Sequence, residues 1–402
     1  MSRAWAVFIL ASLAFFLSQF YRSANAVISP ELLIDLSLDT EGLGLLSASF
    51  FYAFAVTQIP ITLLLDRMGA RKMMSALMLV GIAGAIVFSM AKGLNGGIVG
   101  RVLMGAGMAC NLMGTLKLLT LWFGPLHFAT LSGVVFAVGS LGNMAATSPF
   151  VLMVERMGWR LTFQGIAAFN LLMVMVFFWV VREKSPATSP GGGGILSDLR
   201  LLVKHRNFWI ISAATMVSYG VFAAFQTLWA GPFLIEAMGM TPLHAGHLIL
   251  LMNLSLLAGG PAWGYVSDRL KTRKWIVFMG QGMFALLTMA MIGLGPSTGA
   301  GWFALLFFGL GLFRTTGALM YAHIKESMPV RMAGTAMTGV NFFTMLGPAV
   351  FLQGLGKVMQ AVYPDASRST EAFHLAFLLC ALSVGAITLL YAFTRESGPQ
   401  AP

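Results

Sequence analysis

Four basic residues sit where a basic residue is costly. Arg22, Arg101, Lys117 and Arg314 lie inside long apolar stretches, whereas all fourteen carboxylates fall near the ends of those stretches or between them. A cation surrounded by hydrocarbon needs a counter-charge, and where the chain supplies none a bound anion can. The chemistry implied is therefore electrostatic capture of a negatively charged small molecule. The four are not equal. At the helical rise, Arg22 is roughly 10 Å from Ser29, Lys117 is similarly close to Trp122 and Gly124, and Arg101 is about a turn from Asn95. Each of these can snorkel to water or serve a structural role. Arg314 stands roughly 18 Å from Trp302 and roughly 16 Å from Lys325, near mid-bilayer. It is the leading candidate for an anion ligand.

Polar and aromatic groups at helical spacing supply candidate neighbours. Ser18, Arg22 and Asn25 share a face, as do Arg314 and Tyr321. Tyr219, Phe222, Gln226 and Trp229 align, and so do Ser140, Asn143 and Thr147, and Asn341 and Thr344. Interhelical hydrogen bonding and aromatic packing remain the alternative for each. His323, two residues before Lys325, is the candidate proton carrier, with a hydrogen-bonded interfacial histidine as the alternative. His244 and His247 lie at the outer mouth of the eighth stretch. Cys110 and Cys380 sit in apolar runs and build neither a disulfide framework nor a metal site. There is no metal-ligand cluster or nucleophile elbow, and the run Gly191–Gly194 lacks the Lys-Ser/Thr of a phosphate loop. Neither an enzyme nor a cofactor is expected.

The elements that must position these groups follow from composition. Of 402 residues, 58% are hydrophobic and 10% charged, far from the balance of a soluble domain. Gly (45), Phe (32) and Met (28) are abundant, and glycine suits close helix contact in lipid. Twelve apolar stretches can each span a bilayer, near 4–28, 43–65, 73–91, 97–122, 128–152, 161–181, 208–232, 244–266, 275–294, 301–325, 332–356 and 373–394. With the N-terminus in the cytoplasm, 16 of the 25 Lys and Arg fall on the cytoplasmic side, and five (Lys92, Arg156, Arg160, Lys357, Arg368) fall outside. That asymmetry sets the topology and places both termini in the cytoplasm. The net charge of +11 is thus a membrane signal, and nucleic acid is not an expected partner. Arg3, the apolar run Ala4–Leu17 and Ala24-Asn25-Ala26 also imitate a signal peptide. Its cleavage would leave eleven helices and invert the charge logic of every later loop.

An internal repeat divides the chain. Asp66-Arg67-Met68-Gly69-Ala70-Arg71-Lys72 follows the second stretch, and Asp268-Arg269-Leu270-Lys271-Thr272-Arg273-Lys274 follows the eighth, 202 positions on. Pro60 and Pro261 repeat at nearly the same interval. The expected architecture is an all-α membrane protein of twelve transmembrane helices in two pseudo-symmetric six-helix bundles, 1–182 and 208–402. Residues 183–207 form a linker whose Pro186, Pro190 and glycine run read as flexible. Its end, Ile195 to Lys204, is either a surface amphipathic helix or the start of the seventh span.

Thr62 to Lys72 resembles the loop signature between the second and third helices of the major facilitator superfamily, with Thr62 at a position usually held by glycine. The second copy keeps that glycine as Gly264 but carries Lys271 where the first has Gly69. Arg101-Val102-Leu103-Met104-Gly105-Ala106-Gly107 resembles the family's fourth-helix motif. The resemblance covers nearly the whole chain. It implies a secondary transporter with alternating access around a midplane site between the halves, lined by helices one, four, seven and ten. Arg22, Asn25, Lys117, Tyr219, Gln226, Trp229, Arg314 and Tyr321 are then the expected substrate residues. It further implies that Asp66 docks at the start of helix eleven near Met332, where the helix dipole favours a carboxylate, and that Asp268 docks at helix five near Phe128. Arg67, Arg71 and Lys72, with Arg269 and Arg273 in the second copy, would hold these gating loops; a purely topology-setting cationic loop is the alternative.

The cationic, acid-free interior points to a small organic anion, such as a carboxylate, carried with a proton by a monomer in the inner membrane. Its partners are that anion and the lipid bilayer. Drug export is disfavoured, because Gly133 to Asn143 lacks the Gly-Pro-rich helix-five motif of drug antiporters. Gly139-Ser140-Leu141-Gly142-Asn143 is similar to a stretch of nitrate porters, but their paired arginines on helices two and eight have no equivalent. A non-transporting sensor or assembly partner using the linker is the remaining alternative.

Overall fold

In lipid a spanning segment must satisfy its own backbone, and a helix does so within one segment. The computed structural model describes residues 3–182, 201–328 and 333–396, with their side chains except at 62–63, 66–67, 124–130, 333–335 and 338. Every regular element in it is helical. Eleven helices are long and apolar enough to cross a membrane. In the first half these are Arg3–Ala26, Thr40–Ile61, Ala70–Ser89, Leu94–Phe123 and Ser148–Val180. In the second half they are Arg206–Ala237, Pro242–Leu270, Lys274–Gly293, Ala300–Glu326, Gly339–Val362 and Thr370–Tyr391. A shorter apolar helix, Leu131–Ala145, stands fifth, so Ser148–Val180 is the sixth and Thr370–Tyr391 the twelfth. Large apolar side chains such as Trp179, Leu286 and Leu389 are exposed on the helices, as lipid-facing positions should be.

The boundaries differ from expectation at the fifth helix. It runs only to Ala145 before the chain breaks at Ala146 and Thr147. The sixth stretch, Ser148–Val180, is itself two helical pieces joined at a kink at Gly158, φ 76°. Only glycine takes that conformation without strain.

The chain divides into two compact units, Met1–Pro190 and Gly191–Pro402. Most of the expected linker lies outside the described residues. Leu202, near its end, is buried with Phe208 in the core of the second unit.

Within each unit the repeat extends to packing. In the first, Gly105 of the fourth helix lies against the Phe50 carbonyl of the second, and Gly142 of the fifth lies against the Phe16 carbonyl of the first. In the second, Gly311 lies against the Met252 carbonyl, and Gly347 against the Met216 carbonyl. Any side chain at these four positions would collide with backbone, so helices two and four, one and five, and their counterparts approach as closely as in small-residue membrane interfaces. The caps repeat too. Asp39 Oδ1 accepts the Gly42 amide at 2.7 Å to start the second helix, and Thr241 Oγ1 accepts the His244 amide at 3.3 Å to start the eighth. Both motif helices end at a positive φ, at Gly69 (φ 80°) and Lys271 (φ 51°). The two differ in ψ: Gly69 turns extended at ψ 154°, whereas Lys271, at ψ 35°, is a left-handed helical cap.

Candidate functional site

The tenth helix is regular from Ala300 to Arg314, tightens to a 3₁₀ turn over Thr315–Ala318, and resumes as Leu319–Glu326. A 3₁₀ interruption inside a helix often marks a functional position, and here it begins directly after Arg314. The side chain is half-buried. Its guanidinium carbon lies 5.2 Å from the ring centre of Tyr219 and 5.8 Å from that of Phe222, both on the seventh helix. Such faces attract a cation without neutralising it. Nε has no hydrogen-bond partner among the described residues, and the ion pairs found among them do not involve Arg314. Tyr219 and Tyr321 are its electrostatic neighbours. Tyr321 Oη lies 3.0 Å from Asn341 Oδ1, to which it can donate, and 2.9 Å from Thr344 Oγ1. Arg314, Tyr219, Tyr321, Asn341 and Thr344, scattered along three helices, thus form one polar neighbourhood.

The turn is held from the ninth helix. Gln281 Nε2 donates to Thr316 Oγ1 at 2.9 Å, and Gln281 Oε1 accepts from the Ser218 hydroxyl on the seventh helix. Gly280 lets Thr316 pack directly on the ninth helix. Gln281, a buried mid-span amide, was not singled out from the sequence, although an amide in hydrocarbon always needs partners.

Other expected members go elsewhere. Beyond Phe225 the seventh helix turns π-helical at Phe225–Trp229 and again at Phe233–Ala237. The wider turn rotates later residues off the Tyr219 face. Gln226 therefore binds Asn253 Oδ1 on the eighth helix at 2.6 Å. Trp229 lines an apolar cavity with Phe225, Phe284 and Phe377. In the first unit, Arg22 is buried over the second-helix rings of Phe54 and Phe51, at 5.0 and 5.7 Å. Asn25 donates to Ser47 Oγ at 2.9 Å, and Ser18 to the Met108 carbonyl at 3.3 Å; the face they were expected to share is spent on two different neighbours.

Arg101 does not snorkel: it is fully buried, donates to the Tyr21 carbonyl at 2.8 Å, and stacks 4.9 Å from the Phe50 ring. With Gly105 against Phe50, the fourth-helix motif ties the first and second helices together. Lys117 donates to the Leu65 carbonyl at 2.8 Å, in the last turn of the motif helix, so it caps that helix. His323 lies 2.6 Å from Tyr391 Oη and 2.9 Å from the Arg395 carbonyl. The carbonyl can only accept, so Nε2 carries the proton and Nδ1 accepts from the tyrosine. Both nitrogens are engaged by the end of the twelfth helix, the hydrogen-bonded arrangement given as the alternative to a proton carrier.

Of the gating residues, the side chains of Asp66 and Arg67 lie outside the description. Arg71 donates to the Phe178 carbonyl at 2.9 Å and stacks on its ring at 4.1 Å, while Lys72 is exposed. In the second copy, Arg269 is exposed and Arg273 is the hub. Arg273 Nη1 bonds Asp268 Oδ1 at 2.6 Å, and Nη2 bonds Glu326 Oε1 at 3.1 Å. Desolvation works against its charge, but Glu326 and Asp268 outweigh it and raise the Arg273 pKa. Glu396 accepts the Arg273 and Lys274 amides at 2.9 and 3.2 Å, capping the ninth helix. Its partial burial is outweighed by these bonds and the one from Thr272, and its carboxyl is held below the usual range.

The helix ends away from the motif loops carry repeated clamps that sequence reading missed. Asp35 Oδ2 accepts from Trp159 Nε1 at 2.9 Å and pairs with Arg160, which also donates to the Ala91 carbonyl at 3.0 Å. The Trp159 bond first, and Arg160 after it, hold the Asp35 carboxyl below its ordinary range. In the second unit, Arg368 pairs with Glu236 at 3.0 Å and His374 donates to the Leu294 carbonyl at 3.0 Å.

Comparison with known proteins completes the picture. A family model described as Major Facilitator Superfamily matches residues 11–352. The hexuronate transporter of Bacillus subtilis (strain 168) is 23% identical over 82% of this chain and 82% of its own length. From the same organism, the nitrite extrusion protein is 24% identical over 67% and 66%. The probable galactarate/D-glucarate transporter GudP, also from that organism, is 25% identical over 77% and 75%. A bacterial homologue of the human lysosomal transporter Spinster, crystallised in an inward-facing, unoccupied conformation, superposes with a TM-score of 0.79 at 15% identity, over 98% of this chain and 96% of that one.

Proposed function

The chain belongs to the major facilitator superfamily, and from that premise we propose that it carries a small hydroxylated carboxylate, with Arg314 as the group that pairs with the carboxylate. It is a multi-pass transmembrane transporter and not an enzyme. The observation that carries the proposal is the half-buried Arg314 guanidinium, held against two aromatic rings with no carboxylate beside it among the described residues. A cation so placed is stabilised by an anion that brings its own charge, and a guanidinium matches a carboxylate in two parallel hydrogen bonds. Tyr219, Tyr321 and Asn341 add hydroxyl and amide groups suited to the hydroxyls of such a cargo. The relatives named for hexuronate and for galactarate and D-glucarate support the class.

The nitrite relative favours a second reading, an inorganic anion at the same arginine. Arg22 joins the proposal as a second cationic candidate. The proposal does not rest on Lys117, Gln226, Asn25 or Trp229: the first three bond Leu65, Asn253 and Ser47, and Trp229 lines an apolar cavity. The motif loops are proposed to gate access, and the protein to act as an inner-membrane monomer with both termini cytoplasmic. Proton symport is part of the proposal, with the cargo crossing as its carboxylate.

Uptake of a radiolabelled hexuronate into proteoliposomes tests this. Saturable uptake, competed by hydroxylated carboxylates but not by neutral sugars and abolished by Arg314→Ala, is expected. Normal uptake in that variant, or competition by neutral sugars alone, removes the assignment. Competition by nitrite alone selects the second reading.

A further inference from the structure

We infer that Gly317 is a positioning residue for Arg314: the absence of a side chain at 317 seats Nη1 against the helix and turns the Nε–Nη2 edge of the guanidinium toward the cargo's carboxylate. The inference rests on the proposed pairing of Arg314 with that carboxylate. Arg314 does not extend straight from its helix. Its guanidinium folds back over the 3₁₀ turn, so that Nη1 occupies the space a methyl group on residue 317 would need, and Cζ lies 3.1 Å from that position. The nearest atom from another helix is Gln281 Nε2 at 3.5 Å, which is ordinary contact. The obstacle at 317 is therefore the far end of one flexible side chain and not backbone.

The remaining walls of the seat are fixed. Tyr219 and Phe222 cover the guanidinium from the seventh helix. Thr316, between Arg314 and Gly317, is anchored by Gln281 Nε2 at 2.9 Å and by its own bond to the Phe313 carbonyl at 2.8 Å. With Nη1 packed on Gly317, Nε is the buried donor without a partner among the described residues, and a carboxylate bridging Nε and Nη2 would satisfy it. A methyl group at 317 would push the guanidinium out of this seat and break the alignment of two donors with two oxygens. The helix itself would be little disturbed.

Gly317→Ala should raise the KM for hexuronate uptake about tenfold, the scale of one charge-assisted hydrogen bond, with maximal velocity and expression near wild type. In an Arg314→Lys background, whose ammonium has no Nη1 to displace, the same substitution should change KM less than about twofold. Thermal stability gives a readout independent of transport. Gly317→Ala should lower the melting temperature when Arg314 is present and leave it level or raised in an Arg314→Ala background. An unchanged KM in Gly317→Ala, while Arg314→Ala abolishes uptake, overturns the seat and leaves the carboxylate pairing standing. Equal destabilisation by Gly317→Ala with and without Arg314 also overturns it. Full uptake by Arg314→Ala instead removes the pairing itself.

Discussion

The motif-loop network of the second unit offers a case in which the shorter bond should be the weaker one. Arg273 holds Asp268 at 2.6 Å and Glu326 at 3.1 Å. Judged by length alone, Asp268 matters more. Exposure reverses the order: the Asp268 side chain is 68% exposed, that of Glu326 18%, and that of Arg273 10%. An ion pair open to water contributes about 0–1 kcal/mol, because water and salt compete for both partners. Glu326 also accepts Arg273 Nε through both oxygens, at 3.3 and 3.4 Å, and its loss leaves a nearly buried guanidinium half paired. Glu326→Gln should therefore cost about 1–2 kcal/mol of unfolding free energy, and Asp268→Asn less than about 0.5 kcal/mol. A double-mutant cycle with Arg273→Met, measured by equilibrium unfolding in mixed micelles, isolates each pair. In the Arg273→Met background both carboxylate substitutions should be nearly neutral. A larger cost for Asp268→Asn than for Glu326→Gln would refute the reasoning that burial, not distance, ranks these bonds.

Two further outcomes follow from the extramembrane ends. Lys271 holds a left-handed conformation at φ 51° where the first repeat has Gly69, so Lys271→Gly should stabilise the protein by about 0.5–1 kcal/mol in the same unfolding assay; a loss of stability contradicts the strain. The Asp35 carboxyl is held below its ordinary range by Trp159 and Arg160. A depressed folded-state pKa contributes stability fully present above the ordinary carboxylate pKa, near about 4, and lost as pH falls through the depressed value. The wild-type advantage over Asp35→Asn should be largest near neutral pH, below about 1 kcal/mol for so exposed a pair, and vanish in strong acid. A difference that grows on acidification would reverse the sign.

The repeat was the most legible feature, because charges in an apolar chain are few and their recurrence stands out. It located both motif loops. The structure extends the agreement to Asp39 and Thr241 as caps and to a positive φ at both Gly69 and Lys271, although lysine hides that feature in the sequence. The shared face of Asn341 and Thr344 was legible because the eleventh helix is regular there, whereas Arg314 and Tyr321 flank a 3₁₀ turn that spacing does not announce. Gln226 and Trp229 leave the Tyr219 face because π-helical turns change the period, and Gly231-Pro232 between the two turns is the sequence sign of that irregularity. The clamps of Asp35 with Arg160 and Glu236 with Arg368 join residues more than a hundred positions apart, where spacing carries no information. Gly317 was invisible for another reason: its role depends on the rotamer of a neighbour.

The central claim is that Arg314 selects for negative charge. Its most direct test is the binding of a hexuronate and of the corresponding neutral hexose to the purified wild-type protein and to Arg314→Gln, followed by thermal stabilisation, since a ligand stabilises the state it binds. The acid should stabilise the wild type in a saturable way and Arg314→Gln hardly at all, with the hexose inert toward both. Equal stabilisation by acid and hexose, or undiminished stabilisation of Arg314→Gln by the acid, would contradict it.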